Sequence, residues 1–162
     1  MPMNQPLLHE DSLDYTPLAH SVTLARRRAA RLVGEWGHPD LAGDVAVVVS
    51  ELMSNALLHG SLHDRLIRAR ISCGAAALRV EVSDPRGDRL PWPRPAQAAD
   101  QFGRGLLLVA GLADRWGVEV RGVCKAVYAE WDVSRVTSEP CHGQDSSLHL
   151  VVVNSGLRKA KP

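Results

Sequence analysis

Apolar residues recur along this chain in two rhythms, one helical and one extended. Val22, Ala25, Ala29, Leu32 or Val33, and Trp36 fall at three- and four-residue spacing, which predicts a helix over 21–36. Gly37 follows, where a glycine commonly ends a helix. The opposite face carries Arg27, Arg28, Arg31 and Glu35, either a solvated surface or a docking surface for an acidic partner. The next run, VVVSELMSNALLHG over 47–60, is apolar at nearly every other position, a density that predicts a helix buried on most sides. Pro39 and Asp40 signal its start and Gly60 its end.

The extended rhythm follows. Ile67, Ala69, Ile71 and Cys73 alternate with Arg68, Arg70 and Ser72, then Leu78, Val80 and Val82 alternate with Arg79, Glu81 and Ser83. Gly74 lies between them, so a hairpin is predicted. Residues 85–102 hold four prolines and no period, the mark of a long loop. The stretch FGRGLLLVAGLADRWGV then reads as Gly103 and Gly105 preceding a helix buried through Leu106, Leu107, Val109, Ala110 and Ala113. Trp116, Val118 and Val120, and after Gly122 the set Val127, Ala129, Trp131 and Val133, predict a second strand pair. Residues 1–20 offer at most a short edge strand. Residues 134–162 are turn-rich and polar, a mobile tail apart from an apolar run at 148–153.

Within this frame some polar positions stand out. Glu51, Asn55 and His59 recur every fourth residue and share one stripe of the central helix, with Asp44 extending it toward the N-terminus. The stripe is either a solvent-facing edge or an acid and an amide set around a hard cation and a polar ligand. Continuing the strand period places Asp84 on the side of Leu78, Val80 and Val82, so a carboxylate faces inward at a strand end. A turn aspartate bonding its own backbone before Pro85 is the competing reading. Glycines at a helix start let backbone N–H groups approach an anion. His59 and His63 have the spacing of a metal pair, but Gly60 lies between them and no third ligand accompanies them.

Composition narrows the possibilities. The chain has 162 residues, 45% of them hydrophobic, which suits one domain with a real core. A net charge of +1 and an aromatic content of 4% offer neither a field for polyanions nor platforms for stacking bases, so no direct nucleic-acid partner is expected. Three widely spaced cysteines, Cys73, Cys124 and Cys141, form no CxxC pair and fit a reducing cytoplasm. The N-terminus lacks a basic segment followed by an apolar one, and no run approaches the roughly 18 apolar residues of a membrane span. A cytoplasmic protein without a membrane partner is expected.

Taken in order, a helix bearing ExxxN, a strand ending in Asp84, a long loop and GRGLLLVAGLADRWGV resemble the GHKL (histidine-kinase-like) ATPase superfamily, and within it the anti-sigma-factor serine kinases of Gram-positive bacteria. The resemblance spans residues 21–133 and implies a Bergerat-type α/β sandwich, a mixed, mostly antiparallel sheet covered on one face by about three helices. It implies ATP and Mg²⁺ as cofactors, Glu51 as general base and Asn55 as the Mg²⁺ ligand. Asp84 is implied to read the adenine amino group, and Gly103, Gly105 and the adjoining Leu106 to cradle phosphate. It further implies a sigma factor and an anti-anti-sigma antagonist as partners, serine/threonine kinase activity toward that antagonist, and a possible homodimer. The chain departs from the family at three places. The usual DxGxG reads Asp84, Pro85, Arg86, Gly87, Asp88, which leaves Gly87 as the glycine of that loop. The usual Gly-Thr pair is replaced by Cys124, Lys125 and Ala126. Gln101 and Phe102 stand where a basic residue often meets the terminal phosphate, and Arg104 is the nearest substitute. These departures keep a second expectation open, a non-catalytic module that sequesters a partner.

Overall fold

The computed structural model describes residues 6–59, 65–84, 102–122 and 124–134. Its order is β1 (Leu7–Tyr15), α1 (Ala19–Glu35), a 3-10 turn (Pro39–Leu41), α2 (Ala42–His59), β2 (Ile67–Gly74), β3 (Ala77–Asp84), α3 (Phe102–Leu112), β4 (Arg115–Arg121) and β5 (Cys124–Asp132). The five strands form one sheet in the order β1-β2-β3-β5-β4. All four pairings among the described residues are antiparallel, in keeping with the mostly antiparallel sheet that the resemblance implies. Side-chain alternation reports which face is buried but not which way a neighbouring strand runs.

The helices form the second layer of the sandwich. α2 buries Val45, Val48, Val49, Leu52, Met53 and Ala56, a stripe at three- and four-residue spacing. α1 packs along α2, α2 lies over β2 and β3, and α3 sits beside α2 and against β4. Beneath them the inward residues Ile67, Ile71, Leu78, Val80, Ala129 and Trp131 close the core. α2 is less enclosed than its apolar sequence suggests, because Val47 is 40% and Leu58 67% exposed. By length and composition Pro39–Leu58 is long and apolar enough to cross a membrane, contrary to the sequence reading. Its buried stripe makes it the core helix of this sandwich.

Element ends follow from local chemistry. Gly37 adopts φ +93°, which an L side chain would resist. It lets the His38 N–H reach the Val33 carbonyl and its own N–H reach Gly34, satisfying carbonyls that α1 would otherwise leave open. At the other end of the core, Trp131 donates its indole N–H to the Leu112 carbonyl at 2.8 Å and so ties α3 to β5.

β1 is a full nine-residue strand rather than the short edge expected. Its acidic residues each meet an arginine that is distant in sequence: Glu10 with Arg70, Asp14 with Arg68, and Asp11 with Arg28 of α1. Arg28 is thus engaged within the chain, and Arg31 pairs with Glu35. On the sheet face away from the helices, Arg79 bonds Glu81, Glu119 and Glu130, and Arg121 bonds Glu81 and Glu119. The Arg79 guanidinium also lies 3.8 Å from the centroid of the Tyr128 ring.

These pairs set a pH dependence. The bond from Arg68 holds Asp14 below its ordinary value of 3.8. Bonding from Arg79, with help from Arg121 and against the opposing effect of burial, holds Glu119 below 4.5. Both carboxyls bind protons more weakly when folded than when unfolded. Their contribution is therefore complete above those ordinary values and is lost as pH falls through the lower folded ones. Urea midpoints followed from pH 7 downward are expected to stay level and then drop in the acid range. A midpoint that climbs on acidification would contradict the assignment. Each pair is half-exposed, so the individual contributions are small.

Candidate nucleotide-binding site

The central helix presents its acid and amide on the flank that its core stripe leaves open. Leu52, Met53 and Ala56 are buried, while Glu51 and Asn55, one turn apart, are half-buried. Asp44 is half-buried as well, and His59 ends the helix. Gly60 and His63 lie outside the described residues.

Glu51 meets the beginning of α3. That helix starts at Phe102, so Gly103 and Gly105 fall within its first turns rather than before it, a correction to the sequence reading. The contact with Glu51 is close, since a Cβ on Gly105 would stand 2.6 Å from Glu51 Oε2. Glycine is what allows the carboxylate to lie against this backbone. Gly103 and Arg104 occupy the turn whose backbone N–H groups lack intrahelical partners, the arrangement that favours an anion. Arg104 is exposed, and Leu106 is half-buried and packs on the core. Gly87 lies outside the described residues.

Gly105→Ala separates site geometry from stability. The clashing atom is the far end of a flexible side chain, so Glu51 swings aside at little cost, and alanine favours the helix by up to about 1 kcal/mol over glycine. The melting temperature is expected to hold or rise slightly. Any reaction that needs Glu51 in place is expected to slow by roughly 10²-fold, the usual penalty for a displacement of about 1 Å. A variant with normal turnover would show that Glu51 works from another position.

Asp84 ends β3 with its side chain on the inward face, on the side of Leu78, Val80 and Val82. It does not stand alone, because Lys125 is its direct partner across the β3–β5 pairing and places Nζ 3.4 Å from Asp84 Oδ2. The two side chains are only 4% and 7% exposed. Sequence reasoning missed this lysine as a member of the site. The signal was present, since stepping the inward set Trp131, Ala129, Val127 back by one period reaches Lys125, as stepping Leu78, Val80, Val82 forward reaches Asp84.

α2 is the element common to these parts. It packs on β3, which carries Asp84, and on α3, which carries the glycines. The structure thus brings Glu51 to Gly105, keeps Asn55 one turn further along α2, and places Asp84 on a strand beneath that helix. With one antiparallel sheet under three helices among the described residues, the fold is an α/β sandwich of the kind found in GHKL ATPases. The chain belongs to the histidine kinase-like ATPase domain family, whose family model matches residues 15–131. Membership in a family of ATPase domains implies nucleotide binding.

Two relatives sharpen the comparison. Over 54 residues the chain is 50% identical to the uncharacterized protein SCO4941 of Streptomyces coelicolor, covering 32% of this chain and 50% of that protein. The crystal structure of the RsbU and RsbW domains of Rv1364c from Mycobacterium tuberculosis superposes with a TM-score of 0.58 at 16% identity. That match covers 76% of this chain and 32% of the mycobacterial one, and it is a likeness of fold. The chain therefore spans half the length of the Streptomyces protein and about a third of the mycobacterial chain.

Proposed function

We propose that this chain is an ATP-binding regulatory protein of the cytoplasm that sequesters a sigma factor and phosphorylates a serine or threonine on an antagonist of that sequestration. The observation that carries the reading is the contact of Glu51 with the glycine-bearing first turns of α3, inside a histidine kinase-like ATPase domain. The likeness in fold to a structure containing an RsbW domain supports the regulatory part.

In this reading the first turn of α3 holds phosphate through Gly103 and Arg104. Asn55 suits Mg²⁺ because its carboxamide oxygen is a hard donor on the same helix face as Glu51. Mg²⁺ needs only one or two protein oxygens when phosphate supplies the rest. When bound, the ion offsets charge on the phosphate oxygens. The antagonist's hydroxyl oxygen forms a bond to the terminal phosphorus, the bond from that phosphorus to the bridging oxygen breaks, and ADP departs. Glu51 takes the hydroxyl proton.

Incubation with terminally labelled ATP, Mg²⁺ and candidate antagonists is expected to label one of them on serine or threonine. Failure to label any antagonist that demonstrably binds the protein would reject the kinase reading.

One observation favours a second reading, a non-catalytic module that works by partner contact alone. Lys125 and Asp84 are already joined where the family resemblance places adenine recognition. Calorimetry with Mg-ATP separates the two readings, because micromolar binding argues against the module and no binding argues for it.

A further inference from the structure

The end of the β3–β5 seam carries opposite charges side by side on the helix-covered face. The preceding pair is Val82 with Val127, both buried. Next come Asp84 and Lys125, and beyond Lys125, on β4, its direct partner is Val120. The ammonium lies 3.4 Å from the carboxylate, and both side chains are all but closed to water. A carboxylate that reads an amino group needs an acceptor oxygen turned toward the ligand. Here the carboxylate's charge is matched from within the chain, and a ligand that reaches it competes with the lysine. Such a pair is poorly explained by stability, since apolar replacements of buried ion pairs are often neutral or better.

We propose that Lys125 is a specificity-determining residue that withholds Asp84 from the base, so that the site takes its nucleotide through the triphosphate and is indifferent to the group at C6 of the purine. The inference rests on the nucleotide-binding reading above and adds to it which part of the ligand is read. Displacing the lysine to engage an amino group exchanges one interaction of Asp84 for another and gains little. A carbonyl at the same place is no worse, because the adjacent ammonium can donate to it.

Calorimetry of the full chain with Mg-ATP and with Mg-ITP, which carries a carbonyl in place of the amino group, tests this directly. The unaltered protein is expected to bind the two within about threefold of each other, the spread anticipated where no hydrogen bond distinguishes the bases. Lys125→Met keeps most of the apolar stem and removes the ammonium from beside the carboxylate. It is expected to favour ATP over ITP by roughly ten- to a hundredfold, the worth of a hydrogen bond to a charged acceptor. Lys125→Thr serves the same purpose if the methionine variant fails to fold. An unaltered protein that already prefers ATP tenfold or more overturns the inference, as does a folded variant with an unchanged ratio. Absence of binding by either nucleotide, to either protein, at millimolar concentration overturns the nucleotide reading itself and this inference with it.

Discussion

Glu51→Ala is expected to slow phosphoryl transfer by roughly 10²–10⁴-fold while nucleotide affinity stays close to that of the unaltered protein, the loss typical of removing a positioned general base. The split follows from where the residue sits. Glu51 lies on the open flank of α2 with its carboxylate against Gly105, and the phosphate-facing donors proposed here are backbone N–H groups of α3. Removing the side chain takes away a proton acceptor and leaves those donors in place. The fold is expected to survive, because Glu51 is half-buried and outside the core stripe. Single-turnover transfer measured beside calorimetric binding gives both quantities. Parallel loss of binding and transfer would mean that Glu51 holds the ligand; unchanged transfer would remove it from the chemistry.

The second large effect is on stability. Asp84→Ala is expected to cost about 3–5 kcal/mol, the usual result of stripping one partner from a buried ion pair. That is a heavy loss against the roughly 5–15 kcal/mol that holds a typical domain together. The physical reason is Lys125: its ammonium, with a side chain 7% exposed, loses the carboxylate at 3.4 Å. The double substitution Asp84→Leu with Lys125→Met is expected to recover most of the loss, since two apolar side chains need no partner there. Urea unfolding of the single and double variants reads the difference. A single variant within about 1 kcal/mol of the unaltered protein would mean that Lys125 escapes to water by snorkelling.

The parts of the fold that the sequence disclosed are those governed by local spacing. The core stripe of α2, the β2–β3 hairpin and the inward turn of Asp84 all follow from counting residues along one element. What escaped depends on partners far away in the chain. The segment around β1 carries Glu10, Asp11 and Asp14, which suggest at most a short edge strand until Arg70, Arg28 and Arg68 are brought alongside. The extent to which α2 is covered escaped for the same reason, since the exposure of Val47 and Leu58 depends on what packs beside them. Within the site, Glu51 and Asn55 were legible as a stripe, and Asp84 as an oddity. Lys125 enters the sequence reading only as a departure from the Gly-Thr pair, although the alternation of Val127, Ala129 and Trp131, carried one step back, turns it inward.

Two joins in the sheet, β1 with β2 and β3 with β5, link strands far apart in the chain. β2 with β3, and β4 with β5, are neighbours in the chain and can zip up locally, whereas β3 and β5 meet only after the whole intervening segment has been gathered in. Closing long loops carries an entropic cost that slows assembly. The charged pair lies on the β3–β5 join, so this wall of the candidate site forms late and is surrendered early when the protein loosens. Hydrogen exchange is expected to show the amides along β3–β5 opening together with loss of binding, ahead of the amides buried in α2; protection lost in the reverse order would refute this.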